Sequence, residues 1–414
     1  MMENQLRRNI KVVYALAFFH MFMLIVPVLV PLFQSRGLTL AEVFYLQAIY
    51  AAFIVVLEAP SGYLADLLGR RLVLIIGAAA HALGYIWLNF ATDFWGLLYF
   101  EILMAVAVSM ISGADLALLY DSEKALAAED NDHIYSVAHL GFMKSTAEAL
   151  GALLGGALAM VSFDVMILAQ SLTAWVCLWM ALTITEPPVT EEDGNGKRVV
   201  SLADIWRHLA KGDPILKMVF FALPVYNLAT VLVAWLVQPF WDSMGLSLAV
   251  FGMLWFAQSM TVAIASKLGY ELERRAGPVA ALCTLGVLPI IGIFGMAWLS
   301  GWVGILFGFV LFLSRGLSQV ILVNALNRRI PGRFRATVNS LNSLIFRFGF
   351  IVAGPLMGLL AQDHGVAVAL NAVGVMLVVS FFAVMLPLIL AVRKLLLATA
   401  VQSAQVKPGA DATP

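Results

Sequence analysis

Residues Glu58–Arg71 read EAPSGYLADLLGRR and stand at the join of two long apolar runs. Gly62 and Asp66 are one helical turn apart and share a face. A glycine on that face admits close approach of another helix. Asp66 and Arg70 are also four apart, a pairing distance if the helix runs that far, and Gly69 lets the chain turn. Glu58 falls inside the apolar run, where an ionisable group is costly and by default functional. The stretch therefore reads as a short link between two membrane helices. Its arginines are either working parts or simple anchors of the helix ends.

The rest of the chain agrees with a membrane setting. It has 414 residues, 62% hydrophobic and 12% charged, with a mean hydropathy of +0.93. A soluble domain carries roughly 25% charged residues. Twelve runs of about 20 mostly apolar residues, the length a spanning helix needs, follow one another. They lie near 10–33, 41–65, 72–91, 94–120, 135–161 and 165–184, then 215–241, 247–268, 279–299, 302–324, 336–361 and 366–392. The fold class is an all-α integral membrane protein, twelve transmembrane helices in two pseudo-symmetric six-helix bundles.

Lysine and arginine set the orientation. Of the 25, Lys144, Lys267, Arg315 and Arg347 lie within spans and Arg36 stands alone in an outer loop, which leaves 20 on the side of the termini. By the positive-inside rule both termini are cytoplasmic. The short outer loops favour a bacterial inner membrane. Zero net charge gives no support for a nucleic-acid partner. Cys177 and Cys283 lie in apolar runs with neither metal spacing nor a disulfide framework. No phosphate-binding Gly-x-x-x-x-Gly-Lys-Ser/Thr loop occurs, no cofactor or metal is implied, and nothing reads as an enzyme.

The chain divides at its longest connection, residues 185–214, into bundles 1–184 and 215–392, with a cytoplasmic tail at 393–414 read as disordered. Within the connection, SLADIWRHLAK (201–211) reads as an amphipathic helix on the inner leaflet, with Leu202, Ile205, Trp206 and Leu209 on one face. The halves echo each other. A shift of 199 positions sets Gly155 on Gly354 and Glu148 on Arg347. Repeated six-helix halves mark secondary transporters, whose sites lie between the repeats.

Gly62-x-x-x-Asp66-x-x-Gly69-Arg70-Arg71, between spans two and three, resembles the signature loop of the major facilitator superfamily. RATVNSLNSL (335–344) and GADLALLYDS (113–122) resemble members of the same group, and the likeness covers essentially the whole chain. It implies that this loop latches the two halves, Asp66 facing span eleven and Arg70 pairing with Asp121. It also implies a central cavity lined by spans one, four, seven and ten, so that Asp115 and Arg315 face the pathway and meet as a gate. His20 and Asn227 are further substrate or proton candidates, with Tyr14, Phe18, Tyr226 and Trp235 beside them. Glu58 and Arg347 are expected to pair where spans two and eleven pack. Lys144 and Glu148, four apart, form either an internal pair or a proton site.

Two features depart from the superfamily's drug/proton antiporters. Ser109 stands where those carry an arginine, and GALLGG (151–156) lacks their proline. Three readings stay open: proton-coupled efflux of a small molecule, uptake by symport or facilitated diffusion, and a non-transporting scaffold or sensor. The implied partners are a small-molecule substrate, protons and the bilayer, with the protein a monomer.

Overall fold

The computed structural model describes residues 2–126, 130–188 and 213–405. The side chain of Asp66 and the amphipathic segment 201–211 lie outside the described residues. All described elements are helical: α1 (Met2–Met21), a 3₁₀ turn (Val26–Val28), α2 (Leu29–Ser35), α3 (Leu40–Leu68), α4 (Arg70–Leu88), α5 (Phe94–Ile111), α6 (Ala114–Ala125), α7 (Asp130–Ala159) and α8 (Phe163–Leu182). After the connection come α9 (Pro214–Asp242), α10 (Leu248–Trp298), α11 (Gly301–Arg329), α12 (Gly332–His364), α13 (Val366–Ser380), a π turn (Phe381–Met385) and α14 (Leu386–Gln405).

Ten stretches among the described residues are long and apolar enough to cross a membrane. One of them, α10, has 51 residues and bends at Gly277 (φ 82°, ψ 164°), so it supplies two crossings. α7, whose Lys144 and Glu148 dilute its hydropathy, completes the twelve. The last helix runs to Gln405, so residues 393–405, expected to be disordered, are helical. Helix starts follow local chemistry. Thr39 and Glu42 make a reciprocal capping box for α3, and Asp93 accepts from the Gly96 amide at the start of α5 (2.8 Å). Each satisfies amides that a helix terminus leaves open.

The chain divides into two compact units that do not follow the six-plus-six cut. The first gathers the described residues up to 188 with 232–260 and 347–369; the second gathers 213–231, 261–346 and 370–405. Specific contacts explain the grouping. The Gln238 side chain on α9 accepts from the Val30 amide and donates to the Val26 carbonyl, both at 2.9 Å. The Ala41 amide donates to Gln362 on α12 (3.1 Å). Gly156 on α7 faces Gly252 on α10 so closely that a Cβ on Gly156 would lie 2.8 Å from the Gly252 Cα and 2.7 Å from the Leu248 carbonyl.

The core of the first unit is a continuous apolar cluster that includes Val13, Leu16, Leu74, Ala78, Ile111, Leu118 and Cys177. Large apolar side chains such as Val56, Trp95, Leu172 and Trp179 are exposed, as expected of a multi-pass protein whose surface faces lipid. In the second unit Gly316 packs on Val262 and Ala265, and Trp298 Nε1 donates to Asn371 Oδ1 (2.8 Å).

The first crossing is broken. Between α1 and the 3₁₀ turn, residues 22–25 leave the helix. Lipid offers no partner for freed backbone groups, so the protein must supply them. Gln170, fully buried on α8, does so: its Oε1 accepts from the Leu24 amide (2.5 Å) and its Nε2 donates to the Phe22 carbonyl (3.2 Å). Gly155 on α7 packs directly on this segment, where a Cβ would overlap the Leu24 carbonyl.

Substituting Gly156→Val is expected to lower thermal stability by about 1–3 kcal/mol, the usual cost of overpacking. Gly141→Val, where a Cβ meets nothing within 4 Å, should leave melting in detergent unchanged. Equal melting temperatures for the two variants would contradict the close approach.

Candidate functional site

The break between α5 and α6, at Ser112–Gly113, directs the start of α6 inward. Asp115, in its first turn, is 1% exposed. Its Oδ2 meets Lys144 Nζ of α7 at 2.5 Å, and its Oδ1 accepts from the Leu116 amide (2.7 Å). The acid's charge is thus met by a cation and a backbone dipole within one unit. The sequence leaves Lys144 and Glu148 either as an internal pair or as a proton site, and sets Asp115 toward Arg315. The observed pair instead joins Asp115 to Lys144, because the break brings the carboxylate against α7. Glu148 accepts from Trp255 Nε1 at 3.4 Å.

Other candidates fall as follows. His20 on α1 is buried and stacks obliquely on His81 of α4, ring centroids 4.9 Å apart. Tyr14 meets His139 of α7 edge to face at 4.6 Å. Glu101 is buried and accepts from Gln47 (2.6 Å). Arg315 and Asn227 are half-buried in the second unit, on α11 and α9, and Lys267 is exposed. Sequence reasoning passed over His81, Gln47, Gln170 and Gln238. The available signal was the one applied to His20, a polar side chain inside an apolar run.

At the loop that opened the sequence reading, α3 ends at Leu68 and Gly69 breaks the helix with φ 89°, a region open to glycine at little cost. Asp66 and Arg70 therefore stand on different helices, not on one continuous face. Arg70 Nε lies 3.5 Å from Asp121 Oδ2 on α6. The start of α4 carries a partner that sequence reasoning missed. Glu186, just after α8, accepts from the amides of both Arg70 and Arg71 at 2.8 Å. A carboxylate there satisfies open donors and complements the helix dipole. A Cβ on Gly69 would stand 2.9 Å from the Glu186 carboxyl carbon, so glycine also makes room for the cap. Glu186 is held by its neighbour: Thr185 exchanges hydrogen bonds with the buried Asn9 of α1 (2.6 and 3.0 Å). Gly62 makes no close helix contact; a Cβ there meets nothing within 4 Å.

Glu58 and Arg347 line one cavity of about 290 Å³ in the first unit. They were expected to pair directly. Glu58 Oε2 and Arg347 Nε are instead both buried without a hydrogen-bond partner, and both residues line the cavity.

With this geometry in view, the comparisons decide the family. A sequence model of the Major Facilitator Superfamily matches residues 12–330. The chain belongs to the Major Facilitator Superfamily. Among solved structures it is similar in fold to the nucleoside transporter NupG, with a TM-score of 0.73, 11% identity and coverage of 93% of this chain and 98% of that one. A bacterial homolog of the human lysosomal transporter Spinster, inward-facing and unoccupied, gives a TM-score of 0.74 at 15% identity, covering 95% and 97%. A D-xylose-proton symporter gives 0.72 at 12% identity, covering 90% and 96%. No curated protein sequence matches the chain. The superfamily member described here is a multi-pass membrane transporter, not an enzyme.

The Asp115–Lys144 contact predicts energetic coupling. Asp115→Asn or Lys144→Met alone leaves a charge without its partner and should destabilise the protein. The double variant should lose less than the sum, by about 1–2 kcal/mol, within the range for contacting residues. Additive melting shifts would mean that the two side chains do not interact.

Proposed function

We propose that the protein is a monomeric secondary transporter of a bacterial inner membrane, both termini cytoplasmic, that exports a small molecule in exchange for protons by alternating access. The observation that carries the reading is the Asp115–Lys144 ion pair. A buried carboxylate is held against a lysine of another helix, so any movement that parts the two helices must separate opposite charges. Intramembrane ionisable groups of this kind mark ion and substrate pathways. His20, close to the same helices, and Glu148, Asn227 and Arg315 are the further proton or substrate candidates.

In this reading the Gly62–Arg71 loop is the latch. Asp66, Arg70 and Asp121 hold one state, and Glu186 fixes the start of α4, from which Arg70 reaches Asp121. An intact latch argues against a static scaffold, which has no need of one.

Uptake is the competing reading. Its support is the likeness of fold to a D-xylose-proton symporter and to a nucleoside transporter. One experiment separates the two. In right-side-out proteoliposomes with an acidic exterior, antiport drives a preloaded substrate out as protons enter, whereas symport drives external substrate in. A panel of cationic dyes, nucleosides and sugars is the probe set. Export predicts accelerated, uncoupler-sensitive loss of a preloaded compound. Proton-driven accumulation would replace efflux by uptake, and no movement of any compound under either gradient would favour the scaffold.

The latch has its own test. Asp66→Asn should cut the transport rate by about tenfold, or roughly 1.4 kcal/mol in the limiting barrier, with the melting temperature preserved. Wild-type rates in that variant would remove Asp66 from the latch.

A further inference from the structure

The cavity beside Glu58 owes its existence to small residues. Gly62 on α3, Ser109 and Ser112 at the end of α5, and Gly113 and Ala114 at the break all line it. None fills the space a larger side chain would take. Pro60, inside α3, removes one backbone donor from the adjacent turn. The Ser61 hydroxyl turns away to the Glu58 carbonyl (2.9 Å) and leaves the Glu58 carboxylate unassisted.

Three buried polar atoms at the wall of this space have no hydrogen-bond partner: Glu58 Oε2, Ser109 Oγ and Arg347 Nε. Ser109 is only 4% exposed. An unsatisfied buried polar group costs about 1–3 kcal/mol, and a charged one more. Arg70 also reaches the wall, but its guanidinium is engaged by Asp121. Among the described residues, the charges that line this volume of about 290 Å³ without a hydrogen-bond partner are therefore one carboxylate and one guanidinium.

That arrangement selects a ligand. A net anion is attracted by Arg347 and repelled by Glu58. A net cation meets the reverse. A neutral polar solute forms hydrogen bonds but leaves both charges uncompensated. A molecule with an ammonium group at one end and an anionic oxygen at the other satisfies both, in charge as well as in hydrogen bonding. Ile54 and Val108 supply an aliphatic wall for its carbon skeleton.

We propose that this cavity is a binding site for a small zwitterion of amino-acid size, its ammonium on the Glu58 carboxylate, its carboxylate on Arg347 Nε–H and the Ser109 hydroxyl. The site is separate from the Asp115–Lys144 pair and does not depend on the direction of transport.

The test is equilibrium binding to the purified full chain in phosphatidylglycerol nanodiscs, whose lipid carries no ammonium group. The probes are glycine, L-alanine and L-valine, each beside its N-acetyl form, which is only an anion, and its amide, which is only a cation. Binding to the folded state raises the melting temperature. At least one free amino acid is expected to raise it, with both of its blocked forms inert. Glu58→Gln and Arg347→Gln should each weaken binding by about tenfold or more, and the exchange Glu58→Arg with Arg347→Glu should recover part of the loss. Equal shifts from free and blocked forms would overturn the assignment, as would no shift from any of the three amino acids. The blocked-ligand comparison uses the wild-type protein alone, so it stands even if a variant fails to fold.

Discussion

A backbone amide inside a bilayer has no water to fall back on. At the break at residues 22–25 of the first crossing, the Gln170 side chain takes up the Leu24 amide and the Phe22 carbonyl that the helix no longer serves. Much of the first unit is arranged around that substitution. Gly155 packs against the broken segment where any side chain would collide with it. The next residue, Gly156, packs against Gly252, and Gln238 repeats the device at Val26 and Val30. Two buried amides and a pair of glycines thereby tie α7, α8, α9 and α10 to one interrupted helix.

The same constraint governs the charges. Asp115 has a lysine and a backbone amide, Glu101 has Gln47, and Glu186 caps α4. Glu58 and Arg347 depart from the rule, each with a buried atom left unpartnered across a cavity. The other carboxylates named here have their partners within the chain, whereas Glu58 and Arg347 leave two opposite charges open at the wall of one cavity. Ligand chemistry supplies those partners without disturbing the rest of the network.

The twelve crossings were legible because hydropathy over about 20 residues is a property of composition, which sequence records directly. The signature loop was legible because glycine, aspartate and arginine at those spacings have few other uses. The Asp115–Lys144 pair was not, because it depends on how the Ser112–Gly113 break turns α6, and a spacing of four residues offered only Glu148 as a partner for Lys144. The interruption of the first helix left only Pro27 and Pro31 as traces in a mostly apolar run, and Gln170 and Gln238 carry no charge to draw the eye. The continuation of α14 to Gln405 was hidden by the polar composition of its last turns.

Alternating access as proposed requires that contacts such as Ala41–Gln362 and Gln238–Val30, which hold segments of α12 and α9 to the first bundle, break and re-form in the transport cycle. Dipolar electron resonance between spin labels on the exposed Gln34 and Asp363, in nanodiscs, addresses it directly. The account predicts two distance populations, one for the sealed and one for the opened arrangement, whose ratio changes in Asp66→Asn. A single distance, the same in both proteins, would contradict it.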